Sequence, residues 1–368
     1  MNEGDDALAR LRAELDELDG RVVELAARRQ ALVAEVGRLK RHLSQPTRDF
    51  SREREVHELA RQRASEWGLD PDLAERLVGE LIRASLTSQE RERLEATGAG
   101  AGRRALVVGG AGRMGRWFTR FLATQGWSVR VADPAGSVEG LPWSADWRDA
   151  IGTTELVVVA APLAVTAAIL HQMANDRPPG TVLEIGSIKT PLAAALARLS
   201  GAGVAVGSIH PMFGPDARLL AGRHVIIVEG GAPAALGAAR ELFEPTSASI
   251  VTMSLEEHDR LVAWVLGLSH AVNIAFFTAL AGSGRPAEEL AAFASTTFGG
   301  QLDVARKVAG ESPELYFEIQ SLNPHGRLPL EALVEAAGRL RAAVDRTDAT
   351  AFAALMCAGA DYLRGGGR

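Results

Sequence analysis

The 368-residue chain contains a single cysteine, Cys357. One thiol excludes an intramolecular disulfide and any zinc site built on cysteines, so no metal is expected and a reducing compartment fits. A basic block is also missing, and the formal net charge is −6. Both argue against nucleic acid as a partner. The acidic N-terminal residues lack a hydrophobic signal core, and no apolar run is expected to reach membrane-spanning length. The composition therefore predicts a cytoplasmic protein with no membrane partner. No internal repeat is visible, and the length predicts two or three domains with full cores.

What is present is unevenly distributed. Residues 1–97 hold 38 charged side chains and the remaining 271 residues hold 48. The change falls at Thr97-Gly-Ala-Gly-Ala-Gly-Arg103, which reads as a linker too poor in apolar residues to pack. The expected division is a helical module over 1–95, a linker over 96–103, an α/β nucleotide-binding domain over 104–250 and a second helical domain over 251–368.

In the first module Leu8, Leu11, Leu15, Leu18, Val22 and Leu25 repeat at alternating three- and four-residue steps. Arg29 holds the next position, and Leu32, Val36, Leu39 and Leu43 resume the register. Such a seam buries itself against other helices, and a cation within it is costly unless an anion is brought to it. Arg29 is thus a register-fixing residue, an arginine that snorkels to water, or one that waits for an anionic ligand. A helix of about 36 residues is about 54 Å long, too long for a compact module of this size, so a partner chain should cover part of it. The helix is expected to stop near Ser44-Gln45-Pro46. A second begins near Phe50 and a third after Asp70-Pro71, where Asp70 caps and Pro71 takes the first helical position.

The polar residues of this module form a pattern. Lys40 follows Arg29 by eleven residues, about 20° around an ideal helix, so the two share a face. Arg12 lies about 25 Å up the axis on another face, within reach of a partner's pocket rather than its own. Asp49 and Glu53 are one turn apart, with Arg52 between them, and Ser85 and Gln89 are one turn apart on the third helix. Each pair alone is compatible with a solvated helix face.

As a set, Arg12, Arg29, Lys40, Asp49, Arg52, Glu53, Ser85 and Gln89 resemble the all-helical chorismate mutase family, over essentially all of residues 5–92. The resemblance implies an intertwined dimer in which the first arginine crosses into the partner's site. It also implies that Arg29 and the partner's Arg12 clamp the carboxylates of chorismate, while Lys40 and Gln89 bind the ether oxygen, where negative charge develops. Glu53 would hold the ring hydroxyl, and Asp49, Arg52 and Ser85 would orient the shell. No general base is required for this rearrangement.

Downstream, the apolar run Arg104-Ala-Leu-Val-Val-Gly109 leads into Gly110-Ala-Gly112-Arg113-Met114-Gly115 and an amphipathic helix. A second strand pattern, Trp127–Ala132, ends in Asp133. A glycine fingerprint that follows a strand, opens a helix and precedes an acidic strand end points to a dinucleotide, its pyrophosphate at the helix N-terminus. Asp133 would accept hydrogen bonds from the adenosine ribose and repel a 2′-phosphate, and Pro134-Ala-Gly136 offers no arginine to receive one, so NAD is favoured over NADP. Further strands are expected at 155–160, 181–185 and 204–209, completing a parallel sheet. The loops Gly186-Ser187-Ile-Lys189 and His210-Pro-Met-Phe-Gly-Pro-Asp216 follow two of them. His210 is the candidate general base, since imidazole suits proton transfer near neutrality.

From Ser254 the pattern is helical, with helices expected at 254–281, 286–293, 313–322, 325–344 and 348–363. His270 falls in the apolar stretch Leu261–Leu280, either as a core histidine of a dimer-forming helix or lining a cleft. Arg306 taken alone reads as a surface residue. Over 104–365, the glycine fingerprint, Gly186-Ser-Ile-Lys189, the His210 loop, Glu257-His-Asp259, His270 and Arg306 upstream of Pro313-Glu-Leu-Tyr316 resemble the prephenate dehydrogenase family. The order of modules is similar to the bifunctional chorismate mutase–prephenate dehydrogenase family of tyrosine biosynthesis. That resemblance implies hydride transfer from prephenate to NAD⁺ with His210 accepting the hydroxyl proton. Arg306 would bind a substrate carboxylate, and Ser187 and His270 would position the ring. One departure is that Phe298-Gly-Gly-Gln-Leu302 supplies no second arginine ahead of Arg306, where some relatives have one. Rival readings are a monofunctional dehydrogenase with a helical dimerisation arm, a sensor that has lost catalysis, and an arogenate-preferring enzyme.

Overall fold

Three helices open the chain: α1 (Glu3–His42), α2 (Phe50–Glu66) and α3 (Pro71–Thr97). The computed structural model describes residues 3–43, 45 and 48–365. Asp70 caps α3 by accepting the N–H of Asp72 at 3.0 Å, and Pro71 opens the helix, as the sequence predicts. Of the expected stop near Ser44-Gln45-Pro46, Ser44 and Pro46 lie outside the described residues.

The helix α1 carries two stripes rather than one. Ala26, Arg29, Gln30, Val33, Ala34, Gly37 and Lys40 are partly or fully covered, on the side that meets α3. The leucine seam points elsewhere and is open, with Leu15 at 59%, Leu18 at 52% and Val22 at 62% exposure. Arg29 belongs to the seam's register yet leans onto the covered stripe. It lies at the edge of both faces.

The α/β region runs β1 (Arg104–Val108), α4 (Arg113–Thr124), β2 (Ser128–Ala132), β3 (Trp143–Ser144), α5 (Arg148–Ile151), β4 (Leu156–Val159), α6 (Leu163–Asp176) and β5 (Thr181–Glu184). It continues through a 3-10 turn (Thr190–Leu192), α7 (Ala193–Gly201), β6 (Val206–Pro211), β7 (His224–Val228), α8 (Pro233–Phe243) and β8 (Ser249–Met253). Among the described residues the sheet has eight strands in the order β3-β2-β1-β4-β5-β6-β7-β8. The pairs β1–β2, β2–β3 and β5–β6 are parallel. The interior strands β4 and β6 are buried at every position, as strands covered on both faces must be. Sequence reasoning left out β3, β7 and β8. The first is two residues long, and the other two lie in stretches to which no element was assigned.

The chain divides into two compact units. One comprises Met1–Val158, Pro211–Val225 and Leu236–Val251; the other comprises Val159–His210, Ile226–Ala235 and Thr252–Arg368. The first unit therefore joins the N-terminal helices to part of the α/β region. The Glu90 carboxylate on α3 is buried and accepts the N–H groups of Leu220 at 2.8 Å and Ser247 at 2.6 Å. The Gly-Ala tract is not a loose linker either. Gly100 and Gly102 donate to Gln125 and Gly126 carbonyls at 2.9 Å, and a Cβ on Gly100 would come within 2.3 Å of the Trp127 nitrogen. Backbone pairing at close approach replaces the apolar side chains the tract lacks. The unit's core is an aromatic cluster in which Trp117 stacks on Phe121 and Phe121 stacks on Phe243.

In the second unit the long helix is α9 (Leu255–Val262), a π turn (Ala263–Leu268) and α10 (Ser269–Gly282). This 28-residue segment is long and apolar enough to cross a membrane by length and composition, which corrects the expectation that no run approaches that length. It carries the buried polar groups His258, Asp259 and Asn273 and packs in part against the later helices, while Leu261, Trp264 and Val265 stay exposed. These are α11 (Ala287–Ala292), α12 (Thr296–Ala309), α13 (Pro313–Ser321), α14 (Arg327–Asp345) and α15 (Ala349–Leu363). Helix α12 was not expected, because Gly299-Gly300 weakens a helical reading. The buried stripe Leu302, Ala305, Val308 overrides them.

Candidate active sites

The first site lies where α1 meets α3. Arg29 Nη1 donates to the Leu81 carbonyl at 3.1 Å and to Ser85 Oγ at 2.9 Å. Burial lowers the guanidinium from its ordinary value, and it stays cationic. Gln30, which sequence reasoning passed over, lies 2.8 Å from Ser85 Oγ and donates to the Leu81 carbonyl at 3.3 Å. Gln89 is buried and donates to the Val33 carbonyl at 2.9 Å. Close packing explains its seat, since a Cβ on Gly37 would stand 3.1 Å from the Gln89 side chain. Lys40 lies farther along the covered stripe and is half-buried, while Arg12 is exposed.

The remaining residues of this set are not bonded to that cluster. Asp49 caps α2 by accepting the Arg52 N–H at 3.0 Å, and Arg52 pairs with Glu55 at 2.9 Å on an exposed face. Glu53 is engaged by Arg48 through two bonds of 2.9 and 3.0 Å. Glu53 also lines a cavity of about 780 Å³ with Arg48 and His57, walled as well by Asp216, Arg218, Leu219 and Arg223. The structure thus unites Arg29, Ser85 and Gln89 and leaves Asp49, Arg52 and Glu53 on neighbouring surfaces.

The glycine-rich turn joins β1 to α4. A Cβ on Gly115 would fall 2.1 Å from the Gly109 carbonyl oxygen, and one on Gly110 would fall 2.6 Å from Val131 Cγ1. Both positions therefore demand glycine, as close approach of helix and strand requires; Gly112 is exposed at the N-cap of α4. Asp133 is buried at the end of β2 and accepts the N–H of Ala111 at 2.9 Å and of Ala135 at 2.9 Å. Its carboxylate braces the turn and retains lone pairs for a ribose hydroxyl. Arg113 stands 3.8 Å from the exposed Asp216, and Met114 is half-buried. These residues fit a dinucleotide.

The third cluster is the most buried. His210 sits within β6 rather than in the loop after it, a correction to the sequence reading, because the strand runs on through Pro211. His210 Nδ1 lies 2.8 Å from His258 Nε2, and His258 Nδ1 lies 2.8 Å from Asp259 Oδ1. The capping box of Ser254 and Glu257 starts α9 and so delivers His258 and Asp259 on its first turns. The Asp259 carboxylate also accepts the N–H of Lys189 at 2.9 Å, the N–H of Thr190 at 2.7 Å and the Thr190 hydroxyl at 2.6 Å. Lys189 Nζ donates to Glu184 Oε1 and to the Ile209 carbonyl, both at 2.8 Å. Ser208 Oγ donates to the same carboxylate oxygen.

Electrostatics follow from this burial. His210 is held well below its ordinary value by burial first, then by the neighbouring Lys189 and His258. Burial pushes the Asp259 carboxyl up, but bonds from His258, Thr190 and Lys189 outweigh it and leave it below the usual range. His210 is thus neutral and Asp259 ionised near neutrality. Ser187 is half-buried between Gly186 and the buried Ile188. His270 stacks on Tyr316 with ring centroids 4.0 Å apart, and burial lowers it to about 4. Arg306 is exposed on α12, beside the helix's buried stripe, and pairs with Asp303 at 3.2 Å. Sequence reasoning named the motifs containing Lys189, His258 and Asp259 but gave these residues no role. Nothing in the sequence tells that β6 and α9 face each other.

Comparison with known proteins agrees with this layout. A family model described as chorismate mutase type II matches residues 11–90. Models described as the nucleotide-binding and dimerization domains of prephenate dehydrogenase match 138–252 and 254–358. The glycine turn and Asp133 lie ahead of the second match. A T-protein of Enterobacter agglomerans is 29% identical over 353 residues, covering 94% of this chain and 90% of its own. The 4-amino-4-deoxyprephenate dehydrogenase of Streptomyces pristinaespiralis is 33% identical over 264 residues, covering 69% of this chain and 88% of its own. The crystal structure of prephenate dehydrogenase from A. aeolicus with hydroxyphenyl propionate and NAD⁺ has a TM-score of 0.56 at 17% identity. It covers 72% of this chain and 99% of that one, a likeness of fold.

Proposed function

Because the chain belongs to the prephenate dehydrogenase family and carries a chorismate mutase type II domain ahead of it, we propose that each reaction is run by a cluster described above. The chain is a bifunctional enzyme of tyrosine biosynthesis. It rearranges chorismate to prephenate and then oxidatively decarboxylates prephenate to 4-hydroxyphenylpyruvate with NAD.

For the rearrangement, Arg29 clamps a carboxylate with its planar fork, and Arg12 of a second copy closes on the other. Lys40 and Gln89 stabilise the ether oxygen as its bond to carbon breaks, Glu53 holds the ring hydroxyl, and Ser85 keeps Arg29 aimed. Asp49 and Arg52 order the start of α2. The open leucine seam of α1 supports a dimer, because a stripe of that length is stable in water only when covered.

For the oxidation, Gly110, Gly112, Arg113, Met114 and Gly115 cradle the pyrophosphate and Asp133 takes the ribose. NAD⁺, when bound there, would supply the acceptor for the hydride that leaves C4 of prephenate. His210 removes the proton of the C4 hydroxyl, leaving a ring ketone. The bond from C1 to its carboxylate then breaks and CO₂ departs. The electron pair enters the ring, and His210 returns its proton to the resulting phenolate. Arg306 binds a substrate carboxylate, and Ser187 and His270 orient the ring. The enzyme works in the cytoplasm.

The observation that carries the reading is the pairing, in one chain, of an anion clamp without a base and a buried neutral histidine without a clamp. Purified protein given chorismate and NAD⁺ is expected to yield 4-hydroxyphenylpyruvate, CO₂ and NADH. Prephenate that accumulates without NADH would defeat the second half of the assignment.

A further inference from the structure

We propose that Asp259 is the positioning hub of the dehydrogenase site, fixing through His258 the tautomer in which His210 Nε2 is free to take the substrate proton. The inference rests on His210 being the base, and it adds two residues to that site.

The argument is one of donors and acceptors. An ionised carboxylate only accepts, so the 2.8 Å contact places a proton on His258 Nδ1. A neutral imidazole carries one proton, so His258 Nε2 presents a lone pair. The 2.8 Å contact to His210 must then be donated by His210 Nδ1. That leaves the His210 Nε2 lone pair as the only basic atom of the ring. Polarity set at the carboxylate thus runs through two rings to the reacting proton.

Asp259 does a second thing at once. Its other bonds come from the backbone of Lys189 and Thr190 and the hydroxyl of Thr190, so it also ties down the Gly186–Lys189 loop that carries Ser187. Asn323 Nδ2 holds the Asp259 carbonyl at 2.7 Å and fixes the hub from behind. One carboxylate registers the base and the substrate-orienting loop against each other. The helix lapses into a π turn at Ala263, directly after this hub, and resumes before His270. Such turns re-aim side chains at sites of this kind.

The test uses the purified protein, with mutase turnover in the same sample as the control for folding. Asp259→Asn keeps the shape but lets an amide donate to His258, which reverses both rings and puts a proton on His210 Nε2. The expected result is a fall in prephenate-dependent kcat of about 100-fold or more, as tautomer reversal does in hydrolase triads. KM for prephenate and NAD⁺ should move less than about threefold, and mutase turnover should be unchanged. A kcat within twofold of wild type, in a protein whose His210→Asn variant is inactive, overturns the hub and spares the base assignment. An active His210→Asn variant overturns the base assignment itself. If Asp259→Asn also loses mutase turnover, the His258 variants decide. His258→Gln preserves the polarity, its amide donating to Asp259 and its carbonyl accepting from His210, whereas His258→Leu cannot. Gln should retain at least about tenfold more kcat than Leu, and equal rates overturn the proposal.

Discussion

At the α1–α3 interface the cation Arg29 is met by a carbonyl and a hydroxyl, and among the described residues no carboxylate pairs with it. Around His210 the polar groups are matched in advance: Lys189 pairs with Glu184, and the Asp259 carboxylate is met by the His258 imidazole, all four side chains fully buried. The difference follows from what each reaction needs. A clamp for a dicarboxylate gains by leaving Arg29 without a counter-ion, because the substrate supplies one. A proton acceptor must have its tautomer settled and water excluded before substrate arrives. On the reading proposed above, the first site takes Arg12 from a second copy, whereas the His210 cluster lies within a single unit.

The largest expected effects break the comparison into its halves. His210→Asn should lower prephenate oxidation by about 10²–10⁴-fold while chorismate rearrangement continues. Arg29→Ala should lower the rearrangement by about 10²–10³-fold and leave NADH formation from supplied prephenate intact. Separate assays of the two half-reactions read both. Should Arg29→Ala retain mutase turnover, the clamp would have to lie elsewhere.

A smaller effect tests completeness. Charging the open seam with Leu15→Glu and Leu18→Glu leaves the α1–α3 contacts of one chain untouched. Mutase turnover per chain should fall about tenfold and rise again with protein concentration, as for a site shared between copies. Prephenate oxidation should be unaffected. Sedimentation beside both assays checks the link, and concentration-independent mutase turnover in this variant would place the whole site in one chain.

These two regions also differed in how far they could be read in advance. Helix α1, the shared face of Arg29 and Lys40 and the cap at Asp70 follow from periodicity and capping chemistry, which are local. The covered stripe beside the leucine seam and the cap at Asp49 did not. The glycine turn and Asp133 were legible because a strand, a turn and a strand end occur in fixed order. The hub was not legible: His258 and Asp259 look like a surface pair at a helix start until β6 and α9 are seen to face each other. Arg306 reads from the sequence as a surface residue between the expected helices, and α12 becomes evident only with its buried stripe of Leu302, Ala305 and Val308.

The buried site should also show itself in pH. His210, with Lys189, His258, Asp259 and Glu184 around it, is depressed from 6.5 by burial first. The neutral form is the base, so the acid limb of kcat/KM for prephenate that belongs to His210 should lie below pH 6.5. Linkage has the same sign. The folded state resists protonation there, so the contribution of His210 to stability is whole above pH 6.5 and is lost as pH falls towards its folded value. An acid limb at or above 6.5 that is lost in His210→Asn would mean that burial does not depress His210 in the free enzyme.

The smallest effect separates architecture from chemistry within the clamp. Asp49 accepts the Arg52 N–H and is exposed, so its visible work is to cap α2. Asp49→Ala should cost about 1 kcal/mol by loss of that cap, seen as a lower unfolding midpoint. Asp49→Ser restores an N-cap acceptor without the charge. If capping is its whole contribution, Ser should recover both the midpoint and mutase turnover. If Ser recovers the midpoint while turnover stays low, the charge itself acts on the substrate, and Asp49 belongs with Arg29 rather than with the scaffold.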